Sequence, residues 1–292
     1  MESVSSFQKS AMGCDNMSPM KCSIIIPTKD RNCRLWLVLK ALEHQVDPSV
    51  EVIIVMDGCC PETIREFDGF TFSYQPRKII ARHNVGRAAA RNLGLNHAKG
   101  EIVIFLDDDR IPAPDFIAKH LAGHRKHCVL IGERKEVNLS EAEIELFSSS
   151  GGLGWLVAVY QSAYVELFND MTKKVLLHPL SYFRWLGLAT GNVSIAKKDL
   201  DRVGAFDGNF VGWGYEDIEL GYRLFREGIP FIKDSSIVNY HLVHKHSPNK
   251  SAEEYRNISY FLKKIKGDII SRMVLKLLRL RLNIRVIFKT YI

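Results

Sequence analysis

The sequence predicts an α/β protein built on a mostly parallel sheet flanked by helices, and three observations carry that prediction. Strand-like and helix-like segments alternate along most of the 292 residues, the order that builds parallel sheets covered by helices. Residues 102–106 (IVIFL) form an unbroken apolar run with charge on both sides, as expected of a strand buried on both faces. With 46% apolar residues the chain can bury a sizeable core, which excludes general disorder.

The elements follow in order. Residues 22–27 (CSIIIP) read as a first strand, 35–45 as an amphipathic helix, and 50–56 (VEVIIVM) as a second strand ending at Asp57-Gly58. A short helix is expected near 62–67, a third strand near 78–81, and a helix over 87–97 (RAAARNLGLNH) closed by Lys99-Gly100. After the strand at 102–106, Pro112 and Pro114 break the chain, and Asp115 is placed to cap a helix running through His124. Residues 133–185 are the least patterned, with a Ser-Gly hinge at 148–152 and an aromatic-rich helical spacing over 155–168 that suits an insertion on the acceptor side. Thr190-Gly191-Asn192 turns into a strand, a helix follows, and a further helix opens at Glu216 and runs to about Glu227. An apolar segment at 237–242 precedes Ser251-Ala252-Glu253-Glu254, which reads as a capping box for a helix through Lys264.

Charge is concentrated at one end. Residues 263–292 hold nine basic side chains against one acid, Asp268, a surplus larger than the +7 of the whole chain, so everything before them is nearly neutral. Ile, Leu, Val and Met interleave with Lys and Arg there, a pattern that suits an interfacial helix on anionic lipid or a terminal helix packed on the body. Nucleic-acid binding is disfavoured, because the stretch holds only Phe288 and Tyr291 as late aromatics and matches no recognised module. The six cysteines show no CxxC spacing, which argues against zinc or a disulfide framework and fits a reducing compartment. Residues 1–20 are polar without an apolar core and read as a flexible leader, neither signal peptide nor membrane span. The expected organisation is thus a leader (1–20), a catalytic domain (21–262) and a basic amphipathic tail (263–292). The expected location is cytoplasmic, peripheral on the inner face of the membrane.

Chemistry gathers at two places. Asp107-Asp108-Asp109 ends the buried strand, where open α/β sheets bind ligands, and three adjacent carboxylates repel unless a cation or raised pKa relieves them. A divalent metal is the simplest relief, against a solvated acidic turn. The second place is Gly212-Trp213-Gly214-Tyr215-Glu216-Asp217, where two glycines allow close backbone approach and the indole offers a stacking face for a sugar ring. The same acids would also suit a helix first turn. His241, His244 and His246 follow a strand-like segment, and a neutral imidazole completes a carboxylate metal site; His241 is favoured because the strand pattern fixes it.

Taken together and in order, these motifs resemble a GT-A glycosyltransferase of family two, with a C-terminal half similar to the galactosyltransferase and polypeptide N-acetylgalactosaminyltransferase type. "SIIIPTKDR", "VIIVMDG", "NVGRAAARNLGL", "FLDDD" and "GWGYED" carry the resemblance over residues 22 to about 262. It implies a GT-A (Rossmann-like) fold and donor contacts from Pro27, Thr28, Asp30, Arg31, Asn84, Arg91 and Asn92. It implies further that Asp57 accepts the uracil N3 hydrogen and that Asp107 lies near the ribose with Asp108 beside it. Asn192, Trp213 and Gly214 would line the sugar. Asp109, with Asp107, His241 and His244, would hold Mn²⁺ or Mg²⁺. Asp217 matches the general base, with Glu216 holding acceptor or donor hydroxyls.

The implied activity is inverting, metal-dependent transfer of one galactose, N-acetylgalactosamine or N-acetylglucosamine from a UDP-sugar to a saccharide or lipid-linked hydroxyl acceptor. Two departures bear on it. Met56 stands where an aspartate often precedes the uracil residue, and no QxxRW follows the acidic helix, Arg184-Trp185 coming too early; the latter argues against a processive synthase. The alternatives are a nucleotidyltransferase, which would carry a Gly-rich basic N-terminal loop absent here, and an inactive nucleotide-sugar-binding partner of a membrane complex.

Overall fold

The computed structural model describes residues 20–124, 127–166, 178, 181–244 and 248–290. One eight-stranded sheet runs in the order β3-β2-β1-β4-β7-β6-β8-β5. Its first half is wholly parallel: β1 (Cys22–Thr28) lies between β2 (Val50–Asp57) and β4 (Ile102–Leu106), and β3 (Arg77–Ala81) forms the edge. In the second half β7 (Asn192–Ala196) runs antiparallel to both β4 and β6 (Val129–Val137), β8 (Phe231–Leu242) runs parallel to β6, and the three-residue β5 (Arg110–Pro112) pairs antiparallel with β8.

The apolar runs predicted as strands are buried on both faces, as their composition requires. Ile25, Ile53, Val103 and Phe105 join one core cluster, and Ile24, Ile26, Ile54, Ile104 and Leu106 join the other. Helices α1 (Asn32–Leu42), α2 (Pro61–Asp68), α4 (Phe116–Gly123), α5 (Glu141–Ser149) and α6 (Trp155–Ser162) contribute to the second cluster. The first is covered by α3 (Arg87–His97), α7 (Lys197–Val203), α8 (Glu216–Arg226), α9 (Lys250–Lys264) and α10 (Ile269–Thr290).

One connection shapes the site. β4 and β5 stand four strand intervals apart in the sheet, roughly 19 Å if it were flat, yet only Asp107, Asp108 and Asp109 join them. Three residues bridge no more than roughly 14 Å. The second half of the sheet therefore curls, and the triple aspartate sits where its two ends meet.

Several local expectations are corrected. Strands β5 and β6 and helix α5 arise from sequence read as breaker or unpatterned, and the helix expected over 155–168 ends at Ser162. Asp115 precedes α4 without a side-chain cap and instead pairs with Lys119 at 2.7 Å. Ser251 does not cap α9, which begins earlier after Asn249. Of the two readings of the tail, packing on the body is met on one face, where Leu275 and Leu282 are buried in the first core cluster. Residues 1–19 of the leader and His246 lie outside the described residues.

Candidate active site

The carboxyl ends of β1, β2 and β4 bring the first group together. Thr28 donates its hydroxyl to Asp108 at 2.7 Å, and burial, with Asp109 beside it, pushes the Asp108 carboxyl up to about 6. Asp57 is buried, and its oxygens accept the backbone N–H groups of Val85 (2.6 Å) and Gly86 (3.1 Å). This ties the β3–α3 turn to β2 and leaves one lone pair on each oxygen. Gly58 must be glycine, since its φ is 65° and a Cβ would stand 2.3 Å from the Asn84 nitrogen. Asp30, also at positive φ (51°), accepts from Cys60 N at 2.8 Å. Pro27 is half-buried in register with Val55, and Asn84 is exposed with its Oδ1 on Gly86 N.

Strand register builds the second group. His241 pairs across β8 with Arg110 of β5 on one side and Glu136 of β6 on the other, and Leu242 N donates to Asp109 O. His241 is thereby set beside Asp109 from both edges. Its Nδ1 lies 2.7 Å from Glu136 Oε2; a carboxylate only accepts, so Nδ1 carries the proton and Nε2 keeps its lone pair. Burial lowers the His241 pKa and keeps the ring neutral. That lone pair faces Asp109 Oδ2 at 3.8 Å, and His244 Nε2 lies 3.0 Å from the same oxygen. The three ligand atoms lie within 4.8 Å of one another. An acceptor turned toward a carboxylate at that distance is relieved by a cation between them, so the group fits a divalent metal. Asp107 does not join it. Its oxygens take Arg91 Nη2 at 3.0 Å and Arg110 Nε at 3.2 Å, and although burial opposes ionisation these arginines hold its carboxyl below the usual range. Arg31 closes the group, donating to Asp109 Oδ2 at 3.2 Å.

The third group opens α8. Tyr215 at φ 72° starts the helix so that Glu216 is buried and Asp217 half-buried. Arg91, itself buried, donates Nη1 to Glu216 Oε1 at 3.1 Å and Nη2 to Asp107, so one guanidinium joins both acidic motifs. Asp217 Oδ1 accepts its neighbour Ile218 N, and burial followed by the Glu216 charge raises the carboxyl to about 7. The turn before it is clamped by α9: Glu253 accepts Trp213 N at 2.9 Å, and Asn257 donates to Gly214 O at 2.9 Å. Lys250 Nζ lies 3.7 Å from the centre of the Trp213 ring, over the face expected to meet a sugar.

Three expected ligands also make contacts within the fold. Asn192 is buried, donating to the carbonyls of Glu133 and Ile237 while its Oδ1 meets His120. Asn92 grips the backbone of Phe206 through both amide atoms. Glu216 gives Oε1 to Arg91, while its buried Oε2 has no hydrogen-bond partner among the described residues. The sequence reading missed Glu136, Arg110 and the Glu253–Asn257 clamp. For Glu136 a signal exists only in the strand register, which sequence does not display.

Residues 23–198 match the family model described as glycosyl transferase family 2, and residues 175–246 match one described as the N-terminal domain of galactosyltransferase. Among sequence relatives, the chain is 31% identical over 258 residues to chondroitin synthase of Escherichia coli, covering 80% of this chain and 36% of that protein. It is 32% identical over 222 residues to validoxylamine A glucosyltransferase of Streptomyces hygroscopicus subsp. limoneus, covering 71% and 48%. The chain thus spans half or less of the length of either relative. Solved structures share the fold. A mannosyltransferase from Pyrobaculum calidifontis with GDP-Man and Mn²⁺ has a TM-score of 0.59 at 15% identity, covering 89% of this chain and 69% of that one. S. aureus TarS 1-349 with UDP-GlcNAc has 0.59 at 16%, covering 88% and 69%. GalNAc-T7 with UDP, GalNAc and Mn²⁺ has 0.57 at 14%, covering 87% and 49%.

Proposed function

Because the chain belongs to glycosyl transferase family 2, we propose that it transfers one sugar from a UDP-sugar to a hydroxyl acceptor with inversion, in a metal-dependent and non-processive reaction. The observation that carries this reading is the Arg91 bridge, which ties the aspartate turn after β4 to the acids opening α8 and so supports a base acting close to the donor-side carboxylates. Asp217 is the general base: its carboxyl near 7 can take the acceptor proton at neutral pH. Glu216 is a positioning residue, held by Arg91 and raising the proton affinity of its neighbour. A single base and one displacement give inversion. Asp109, His241 and His244 would hold the cation, and the mixed imidazole–carboxylate set favours Mn²⁺ over Mg²⁺. When bound, such an ion neutralises charge on the departing diphosphate.

Galactose, N-acetylgalactosamine and N-acetylglucosamine are the favoured sugars, and a glycan or lipid-linked saccharide the acceptor. UDP fits the Asp57 position and the nucleotides held by TarS and GalNAc-T7. The test is nucleotide release from UDP-galactose, UDP-N-acetylgalactosamine, UDP-N-acetylglucosamine and GDP-mannose, each with Mn²⁺ or EDTA. Release of UDP that EDTA stops is the expected result. Preference for GDP-mannose would overturn the donor assignment, undiminished release in EDTA the metal, and no release from any donor the enzymatic reading.

A further inference from the structure

Helix α10 has two faces of opposite character. On one, Ser271 is buried, and Leu275 and Leu282 are buried and join Ile258, Phe261 and Leu262 of α9. On the other, Ile269, Ile270, Met273, Leu277 and Leu280 are each 55–73% exposed. At 100° per residue these five fall within a single arc of about 100°, turned away from the buried positions. In the sequence the same spacing continues at Ile284, Ile287 and Phe288.

The charge around this stripe has one sign. Lys263, Lys266, Lys276 and Arg281 are exposed. Asp268, the sole acid of the tail, is turned inward, accepting from the Tyr182 and Tyr222 hydroxyls and from Ser271 N. Within residues 263–282 the exposed ionised side chains beside this apolar stripe are all cations, which matches a surface that is apolar beneath and anionic above. Self-pairing along the stripe would bring Lys276 and Arg281 of one copy close to the same cations of the other. No described helix is long and apolar enough to cross a membrane.

We propose that α10 docks the protein on a bilayer surface bearing anionic lipid, its apolar stripe lying at the acyl boundary and Lys276 and Arg281 at the headgroups. The packed face and the docking face thus coexist on one helix. The contact is peripheral, and it does not depend on the sugar-transfer reading.

The experiment is cosedimentation of the full chain with vesicles of phosphatidylcholine alone or of phosphatidylcholine with phosphatidylglycerol. Binding is expected to the mixed vesicles only, and to weaken with salt. Leu277→Glu with Leu280→Glu should abolish it. Lys276→Glu with Arg281→Glu should lower partitioning by well over tenfold, since each basic residue near an anionic surface is worth about fivefold. All four positions are solvent-facing, and circular dichroism with a melting curve checks that both variants stay folded. Wild-type protein that ignores mixed vesicles, or folded variants that bind as well as wild type, would overturn the proposal. So would a dimer in sedimentation equilibrium that Leu277→Glu dissociates, which would assign this face to a second copy of the chain.

Discussion

Arg91 and Glu216 form a buried ion pair, Nη1 to Oε1 at 3.1 Å, that fastens α3 to the start of α8. Among the described residues Glu216 Oε2 and Arg91 Nε have no hydrogen-bond partner, so each charge depends on the other and on Asp107. Removing one member of such a pair leaves an uncompensated buried charge. Arg91→Met should therefore destabilise the protein by about 3–5 kcal/mol in urea unfolding, and adding Glu216→Gln should recover part of the loss. Equal stability of the single and double variants would show that the pair is not coupled.

The His241–Glu136 contact predicts a graded loss of metal affinity. Asp109→Ala should abolish Mn²⁺ binding measured by calorimetry, and His241→Ala should weaken it more than His244→Ala. Glu136→Gln should cost about 10–100-fold, the usual effect of a partner that orients a ligating imidazole. Unchanged affinity in Glu136→Gln would remove that carboxylate from the site.

The proposed base, Asp217, predicts a pH-dependent reaction. A base must be deprotonated to act, so activity should fall as pH drops through about 7, where burial and Glu216 have placed its carboxyl. Asp217→Asn should reduce turnover by roughly 10²–10⁴-fold with little change in donor binding. A variant whose turnover and pH profile match wild type would exclude Asp217 as the base.

His120 couples stability to pH. It is wholly buried, and because Asn192 Nδ2 faces two carbonyls, its Oδ1 must accept from His120 Nε2–H. Ser194 then donates to Nδ1 and accepts from His124. Burial lowers the ring to about 3, so between roughly 6.5 and 3 the unfolded chain binds a proton the folded chain refuses, and stability falls as pH falls. At pH 5 the cost is about 2 kcal/mol. His120→Gln, though less stable at pH 7, should show a shallower decline between pH 7 and 5 in urea unfolding; an equal decline would place the titration elsewhere.

The legible parts of the chain are those where one property decides the outcome. The runs at β1, β2 and β4 are too apolar for anything but the middle of a sheet, and α3 is found within a residue of its expected ends. β6 was hidden because Glu133, Arg134, Lys135 and Glu136 look like a loop. In the fold two of these charges are met from β8, Glu133 by Lys233 at 2.7 Å and Glu136 by His241. The site divides in the same way. The clustering of Asp109 with His241 and His244 was foreseeable because a histidine at the end of a strand comes close to a carboxylate at the end of its neighbour. The contacts of Asn92 and Asn192 with backbone groups were not legible, because an amide satisfies a backbone group as readily as a ligand, and only geometry shows the former.

The clamp on the Trp213 turn gives the protein a built-in optical probe. Of the four tryptophans, Trp36, Trp155 and Trp185 are buried, leaving Trp213 as the indole open to solvent. With Lys250 over its ring and Arg87 nearby, iodide should quench its emission far better than caesium does. A sugar stacked on that ring must displace the ammonium, so the ratio of the two quenching constants should collapse toward unity as donor or acceptor is added. Occupancy of the site could then be followed without label, coupling enzyme or turnover.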